Sequence, residues 1–318
     1  MGYGIGGYLS LSKQTAFGTA TTNRVYIPFV SESLTENIEQ LQIENLRNVY
    51  DSPNNLEGIN NTTGDIVFEP HPIYLGHFFN ACLGDATTTF SSSKAIHEFL
   101  PRQTEFAENC TLRPYTVEIF KNVGSAYQIT DSLIHTLAIE IAAGAIIRCT
   151  ATVHGRAYNK VAKQTPSYIA ADPFTWNETS LQIGGSANGD VESATITIEN
   201  PIEGIPTLNG SKNEGKLLRS DFRNITISGD QDFSNQAQEG IFRAQTRQRF
   251  LFSITGDSIG GGNNNFISID APQLNYQTFA YPIGGPGRIT AAYEGKAEYD
   301  TSSSYALRVT MQNTQTAY

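Results

Sequence analysis

Apolar and polar residues alternate with a period of two along most of the chain, which predicts β-strands with one buried and one polar face. The clearest case is VESATITIEN at residues 191–200. Residues 133–142 and 146–158 alternate on either side of Ala143-Gly144 and predict a β-hairpin. Further strands are predicted at 8–13, 25–30, 34–46, 65–69, 97–100, 115–121, 126–129, 223–228, 249–255, 266–269, 288–299 and 305–313.

Two of these strands carry irregularities that the sequence predicts. Pro28 has no N–H to donate to a neighbouring strand, so residues 25–30 are predicted at a sheet edge. Within 34–46, Leu34 and Ile38 share one parity while Leu41 has the other. A change of parity inside a strand predicts a β-bulge, here near Glu39.

The period changes to that of a helix in two places. After the strand at 65–69, Pro70 and Pro72 mark a corner, and a short apolar helix follows that Gly84 ends. After the strand at 223–228, residues 235–248 have a helical stripe and predict a second helix.

The order of elements recurs along the chain. Each half has a strand, a long polar loop, a strand, a helix and a closing hairpin, and two strands end in Ile-Glu-Asn, at 43–45 and 198–200, 155 residues apart. Such recurrence indicates a duplication. We predict a first module at 1–160, a linker at 161–176 and a second module at 177–318.

Composition narrows the classes of function. Charged residues make up 16% of the chain and the net charge is −10, with −5 in each half, so a basic nucleic-acid-binding surface is not expected. No apolar run reaches the roughly 20 residues that span a membrane, and the start of the sequence lacks the pattern of a signal peptide. Three widely spaced cysteines favour synthesis in a reducing cytoplasm over a disulfide scaffold.

Motifs for catalysis and metal binding are missing from the sequence. His71 and His77 lack the spacing of a zinc pair, and neither CxxC nor GxSxG occurs. The sequence alone leaves open a carboxylate pair assembled in space. We predict a protein that is not an enzyme, with no cofactor and no catalytic or metal site.

Short segments in both halves resemble tail tube proteins of long-tailed bacteriophages. In residues 6–20, GGYLSLSKQTAFGTA, the family's Lys and aromatic-Gly-Thr turn match Lys13 and Phe17-Gly18-Thr19, while Gln14 replaces the usual acid. The segments IPFVSESL at 27–34, TITIENPIEGIPTLNGS at 195–211, ITISGDQDF at 225–233 and KAEYDTSSSYALRVTMQN at 296–313 are similar too.

The resemblance implies a mainly β (α+β) fold of two tandem β-sandwich modules. Each module would have one flanking α-helix and give four strands to an intermolecular β-barrel. Three such chains would close a pseudo-hexameric ring, and stacked rings would form the conduit for genome ejection. The implied location is the virion, after assembly in the host bacterial cytoplasm. A baseplate, hub or receptor-binding component of the virion is the alternative.

The implied partners are further copies of the chain, tail tip or baseplate and tail terminator proteins, and, in the lumen, the tape measure protein and transiting DNA without tight binding. No membrane partner is expected. A basic lumen would hold DNA, whereas acidic side chains keep its passage smooth. Each lumen-facing candidate could equally be a solvated strand residue; they are Glu36, Glu44, Glu69, Glu140, Glu192, Glu199, Glu294 and Glu298.

Two long polar loops follow the Ile-Glu-Asn segments, at 47–63 and 201–218. Long structureless loops in compact domains are usually functional, and we expect these to reach the neighbouring ring. Simple surface variability is the competing explanation. The candidates for contacts between rings are Tyr50, Asp51, Pro53, Asn54, Leu56, Ile205, Leu208 and Lys212.

Overall fold

The computed structural model describes residues 3–91 and 94–318. These residues form a mainly β protein with two α-helices, α1 (Leu75–Cys82) and α2 (Ala237–Ala244). The strands up to the predicted linker are β1 (Tyr8–Lys13), β2 (Val25–Ile27), β3 (Ser31–Glu32), β4 (Thr35–Leu41), β5 (Leu56–Phe68), β6 (Thr87–Ser91), β7 (Lys94–Phe99), β8 (Tyr115–Phe120), β9 (Ala126–Ala142), β10 (Arg148–Gly155) and β11 (Ala157–Val161).

The strands after the linker begin behind a short 3-10 turn at Trp176–Glu178. A similar turn at Gly4–Gly6 precedes β1. The later strands are β12 (Thr179–Ile183), β13 (Ser186–Ala187), β14 (Val191–Glu199), β15 (Ile202–Ile205), β16 (Lys216–Arg219), β17 (Asn224–Asp232), β18 (Gln248–Gly260), β19 (Asn263–Ala280), β20 (Thr290–Ala297) and β21 (Arg308–Asn313).

Eight strands form a central antiparallel sheet in the order β4-β5-β10-β9-β14-β17-β20-β19. The first four precede the predicted linker, and the last four follow it. The two sets join where β9 pairs with β14. Alternation explains the single buried face: in β10, Cys149, Ala151 and Val153 are buried, while the residues between them are not.

A second layer packs against the central sheet. It has the order β2-β1-β8-β9-β11 in the first half and β13-β12-β18-β19-β21 in the second. The long strands β9 and β19 belong to both layers, because their first parts pair in this layer and their last parts in the central sheet. The main hydrophobic core lies between the layers and includes Phe68, Phe78, Ile139, Ile196 and Phe252.

The order of pairing is therefore the same in both halves. The helices repeat it as well, since α1 follows β5 and contacts β9, whereas α2 follows β17 and contacts β19. One hairpin crosses between the halves: β6 and β7 come from the first half, and β7 pairs with β21 of the second. The predicted linker lies between β11 and β12, and residues 1 and 2 of the predicted first module lie outside the described residues.

Several local predictions are confirmed. The hairpin around Ala143-Gly144 is formed by β9 and β10. The register of β4 shifts between Ile38 and Gln40, where the bulge was predicted. The first helix occurs, and Gly84 after its end has φ +142, a conformation that favours glycine.

Other boundaries were wrong. The strand predicted at 34–46 ends at Leu41, and the loop predicted at 47–63 is shorter because β5 begins at Leu56. The loop at 201–218 contains the small hairpin of β15 and β16. The Thr/Ser-rich composition of residues 85–94 indicates a loop, yet this segment contains β6; Ser92 and Ser93 lie outside the described residues. The strand predicted at 266–269 continues to Ala280, since pairing with β18, β20 and β21 holds it together through Pro272.

The two Ile-Glu-Asn segments are not structurally equivalent. Residues 43–45 lie in the loop after β4, whereas Ile198 and Glu199 belong to β14. The match of three residues at an offset of 155 is therefore coincidental.

Candidate functional site

The face of the central sheet that points away from the core is polar, and we call it the open face. Residues directly opposite each other in antiparallel strands point to the same side. One row across the sheet runs Glu140, Thr195, Ser228 and Glu294. Hydroxyl groups and carboxylates thus form a continuous band across both halves.

A second row on the open face runs Glu199, Thr136, Thr152 and Asp65. The Thr152 hydroxyl donates a hydrogen bond of 2.7 Å to the Asp65 carboxylate. Threonine is common here because its branched side chain suits a strand while its hydroxyl tolerates water. The row shows that the alternation of the sequence places small polar groups on this face.

The open face carries more acidic than basic side chains. The pairing places six carboxylates on it, Asp65, Glu140, Glu199, Asp230, Asp232 and Glu294, and two basic residues of the paired strands, Arg148 and Lys296. Such a face attracts polyanions poorly, because the carboxylates outnumber the cations.

Three of the eight glutamates predicted to line a lumen, Glu140, Glu199 and Glu294, lie on the open face. Glu36 does not, because it lies opposite the buried Thr62 and shares the inward parity of Leu34. Glu44 lies in the exposed loop after β4.

The remaining three glutamates lie at strand ends. Glu69 follows β5 and is half-buried. Glu192 is at an irregular position of β14 and forms an ion pair with Arg288. Glu298 follows β20, where hydrogen bonds from Asn275 and Arg247 lower the pKa of its carboxyl group. The sequence missed Asp65, Asp230 and Asp232, since their side could be assigned only from the register.

The candidates for contacts between rings lie at one end of the sheet. Tyr50, Asp51, Pro53 and Asn54 are in the loop at 42–55, and Tyr50 is fully exposed. Leu208 and Lys212 are in the turn at 206–215, and Leu208 is also fully exposed. Leu56 and Ile205 belong to β5 and β15, so describing these two as loop residues was wrong.

The structure brings the two loop regions together. The backbone N–H of Asn60 donates to the Lys212 carbonyl at 2.8 Å, and the Lys212 ammonium group pairs with Glu57. Glu214 also accepts hydrogen bonds from Asn61 at 3.0 Å and pairs with His154 at 2.7 Å. The turn at 206–215 therefore rests on β5 of the first half.

The central sheet ends in two strands whose outer edges have no partner strand among the described residues. β4 pairs only with β5, and residues 275–280 of β19 pair only with β20. Unpaired edges are templates for pairing with another chain. The equivalent part of β9 is not an edge, because β14 covers it.

Two buried thiols and one buried imidazole have pKa values that favour their neutral forms. Burial raises the pKa of the Cys82 and Cys110 thiols to about 12 and lowers that of the His77 imidazole to about 4. Within residues 3–91 and 94–318, no group of three or more His, Cys, Asp or Glu could hold a metal ion. No helix in this part of the chain is long and apolar enough to cross a membrane.

Comparison with known proteins yields one match that covers nearly the whole chain. A family model described as phage tail tube protein matches residues 4–297. No curated protein sequence matches the chain significantly.

Proposed function

The chain belongs to the phage tail tube protein family, a family of structural proteins of the phage tail, and we propose that it closes into trimeric rings whose stack is the conduit for the genome. One observation carries this proposal: a sheet of eight strands joins both halves, has one polar face, and ends in two edges that have no partner strand in the part of the chain that the structure describes. We further propose that the halves are tandem modules, 1–160 and 177–318, joined by the linker at 161–176.

The junction between the halves supplies the geometry for ring closure. There, the last part of β9 pairs with β14 over residues 136–142 and 193–199. At one end of the sheet, the last part of β19 corresponds to this part of β9. At the other end, β3 and β4 correspond to β14. The free edge of β19 in one copy therefore pairs with the free edge of β4 in the next.

Three copies give 24 strands in the closed barrel. With strands ~4.8 Å apart and a tilt of roughly 40°, the backbone diameter is on the order of 48 Å, which leaves room for duplex DNA after side chains fill the rim. A closed barrel also removes the edges that would otherwise promote aggregation.

The open face then lines the bore. Duplex DNA carries one negative charge per ~1.7 Å, and cations that neutralise phosphates bind it by releasing counterions. A face with six carboxylates and two basic groups offers few such contacts. Both the tape measure protein and transiting DNA would pass without tight binding.

The loops at 42–55 and 206–215 stack one ring on the next. Both follow strands that run in the same direction, so they project from the same end of the sheet. Contacts from one end of a ring to the other end of its neighbour build an open filament. The two ends of the filament would meet tail tip or baseplate proteins and the tail terminator.

Electron microscopy and native mass spectrometry of the purified protein test this function. We expect rings or stacked rings of even bore, with a mass of three chains of 34.7 kDa per ring. Discrete monomers without a central hole would contradict the proposal and would favour a baseplate, hub or receptor-binding component.

A further inference from the structure

An apolar groove borders the free edge of the first half, and we call it the edge groove. It lies between the turn at Gly4–Gly6 and the segment 28–32, with Phe120 in its lining and a volume of about 750 Å³. Two of its apolar side chains, Ile5 and Val30, are 99% and 51% exposed. Exposed apolar residues around a concave surface mark an interaction site.

The second half has a groove of the same construction, and part of the first half borders it. It lies between the turn at Trp176–Glu178 and residues 191–194, has a volume of about 810 Å³, and Ile141 of β9 forms part of its lining. The Ala143 N–H donates to the Glu192 carbonyl at 3.0 Å, and the Trp176 N–H to the Ala145 carbonyl at 3.2 Å. The loop after β9 thus forms one wall of this groove.

The registers identify the counterpart of Ile141 in the second half. A register shift marks the same place in both closing hairpins: the bulged residue directly precedes Thr136 in β9 and Thr278 in β19. Five residues beyond these points lie Ile141 and Ile283. The two isoleucines differ in environment, because Ile141 is 8% exposed and Ile283 is 77% exposed.

The same registers identify the counterpart of the strand that Ile141 faces. When positions are counted from the bulge in each half and followed across the paired strands, Val67 of β5 corresponds to Asp230 of β17. Their partners, Ser31 of β3 and Ser193 of β14, are therefore equivalent as well. Since Ile141 lies opposite Ala194, the next residue after Ser193, the counterpart of that position is Glu32.

From this correspondence, we propose that Ile283 of one copy packs against the edge groove of the next copy as one of its walls, opposite Glu32 of that copy. This inference rests on the ring assembly proposed above and names the residue that anchors it. The Lys121 ammonium group holds the Glu32 carboxylate at 3.1 Å, so that charge is already paired beside the groove. The loop at 281–289 is exposed and apolar at its tip, PIGGP, as a segment that packs against another copy should be.

Disulfide trapping tests the predicted contact in the assembled protein. The Ile283→Cys, Glu32→Cys double variant should form covalent dimers and trimers on mild oxidation, because directly opposite Cβ atoms lie within reach of a disulfide. The native Cys82, Cys110 and Cys149 are buried and should stay reduced. Each single variant should remain monomeric on non-reducing gels, and so should the matched pair Ile283→Cys, Phe90→Cys, since exposed Phe90 lies on β6.

A second variant separates this inference from the ring itself. Ile283→Asp should lower the yield of rings at least tenfold, whereas Ile283→Val should assemble as the unmodified chain does. If the double-cysteine variant forms rings without cross-links and Ile283→Asp assembles normally, the anchor is refuted while the ring stands. If the unmodified chain forms no rings, both proposals are refuted.

Discussion

Reversing the charge of the open face should turn an acidic surface that does not hold DNA into a binding site for it. The perturbation is the triple variant Glu140→Lys, Glu199→Lys, Glu294→Lys. It changes the face from six carboxylates and two bases to three carboxylates and five bases, so the net charge of the open face in each chain goes from −4 to +2. None of the three side chains is in the core, so the fold should persist.

The size of the effect follows from counterion release. A net charge of +2 on each of three chains would neutralise about six phosphates per ring, which predicts a slope of log affinity against log salt of about −5. The assay measures retention of a short duplex by sedimented tubes between 50 and 200 mM salt, roughly the range over which such binding weakens strongly. In virions carrying this variant, genome ejection should be slower.

A matched triple reversal outside the open face controls for total charge. Glu105→Lys, Asp172→Lys, Asp257→Lys adds the same charge at exposed positions in a loop, in the predicted linker and in β18. We expect normal ejection and little retention within the bore for this control. Equal retention by both triple variants, or normal ejection with the open-face variant, would refute the assignment of this face to the lumen.

Three further predictions concern stability and stacking. Gly229→Ala places a Cβ 2.0 Å from the Ser193 carbonyl oxygen and should lower the free energy of unfolding by roughly 3 kcal/mol. Gly240→Ala in α2 meets nothing within 4 Å and should raise it by about 1 kcal/mol. Equal midpoints of urea unfolding for the two variants would contradict this. Burial raises the pKa of Asp85, but hydrogen bonds from Arg113 and Lys13 outweigh it and hold that pKa at about 2. The lowered pKa stabilises the fold above about pH 4, and this contribution is lost as pH falls towards 2. Asp85→Asn should therefore lower the free energy of unfolding by about 1–2 kcal/mol at pH 7 and weaken its dependence on pH below about pH 4. An unchanged pH dependence in that range would refute this prediction. Tyr50, in the loop at 42–55, has a fully exposed side chain, and Tyr50→Asp should leave single rings but shorten the tubes seen in micrographs. Phe90→Asp should not shorten them. Full-length tubes from Tyr50→Asp would remove that loop from the stacking contact.

Local features of the sequence were enough for the fold class. The period of two gave most strands, a change of parity located the bulge near Glu39, and a glycine placed the end of α1. Each of these features depends on neighbouring residues, so it can be read without knowing the partners. The predicted element boundaries were wrong where pairing with neighbouring strands extended a strand through residues whose composition favours a loop. Examples are the Asn- and Thr-rich start of β5 and the part of β19 beyond Pro272.

The sequence by itself determined that this protein is a mainly β protein with polar strand faces, because alternation separates buried from exposed side chains wherever a strand forms. Only the tertiary structure decided which polar strand faces lie on the same side of the sheet. The pairing of β9 with β14, continued through β17 to β20, put Glu140 and Glu199 on the same face as Glu294. The pairing of β4 with β5 turned Glu36 towards the other side. Register is set by contacts between residues far apart in the chain, and a shift of one residue would move every side chain to the opposite face.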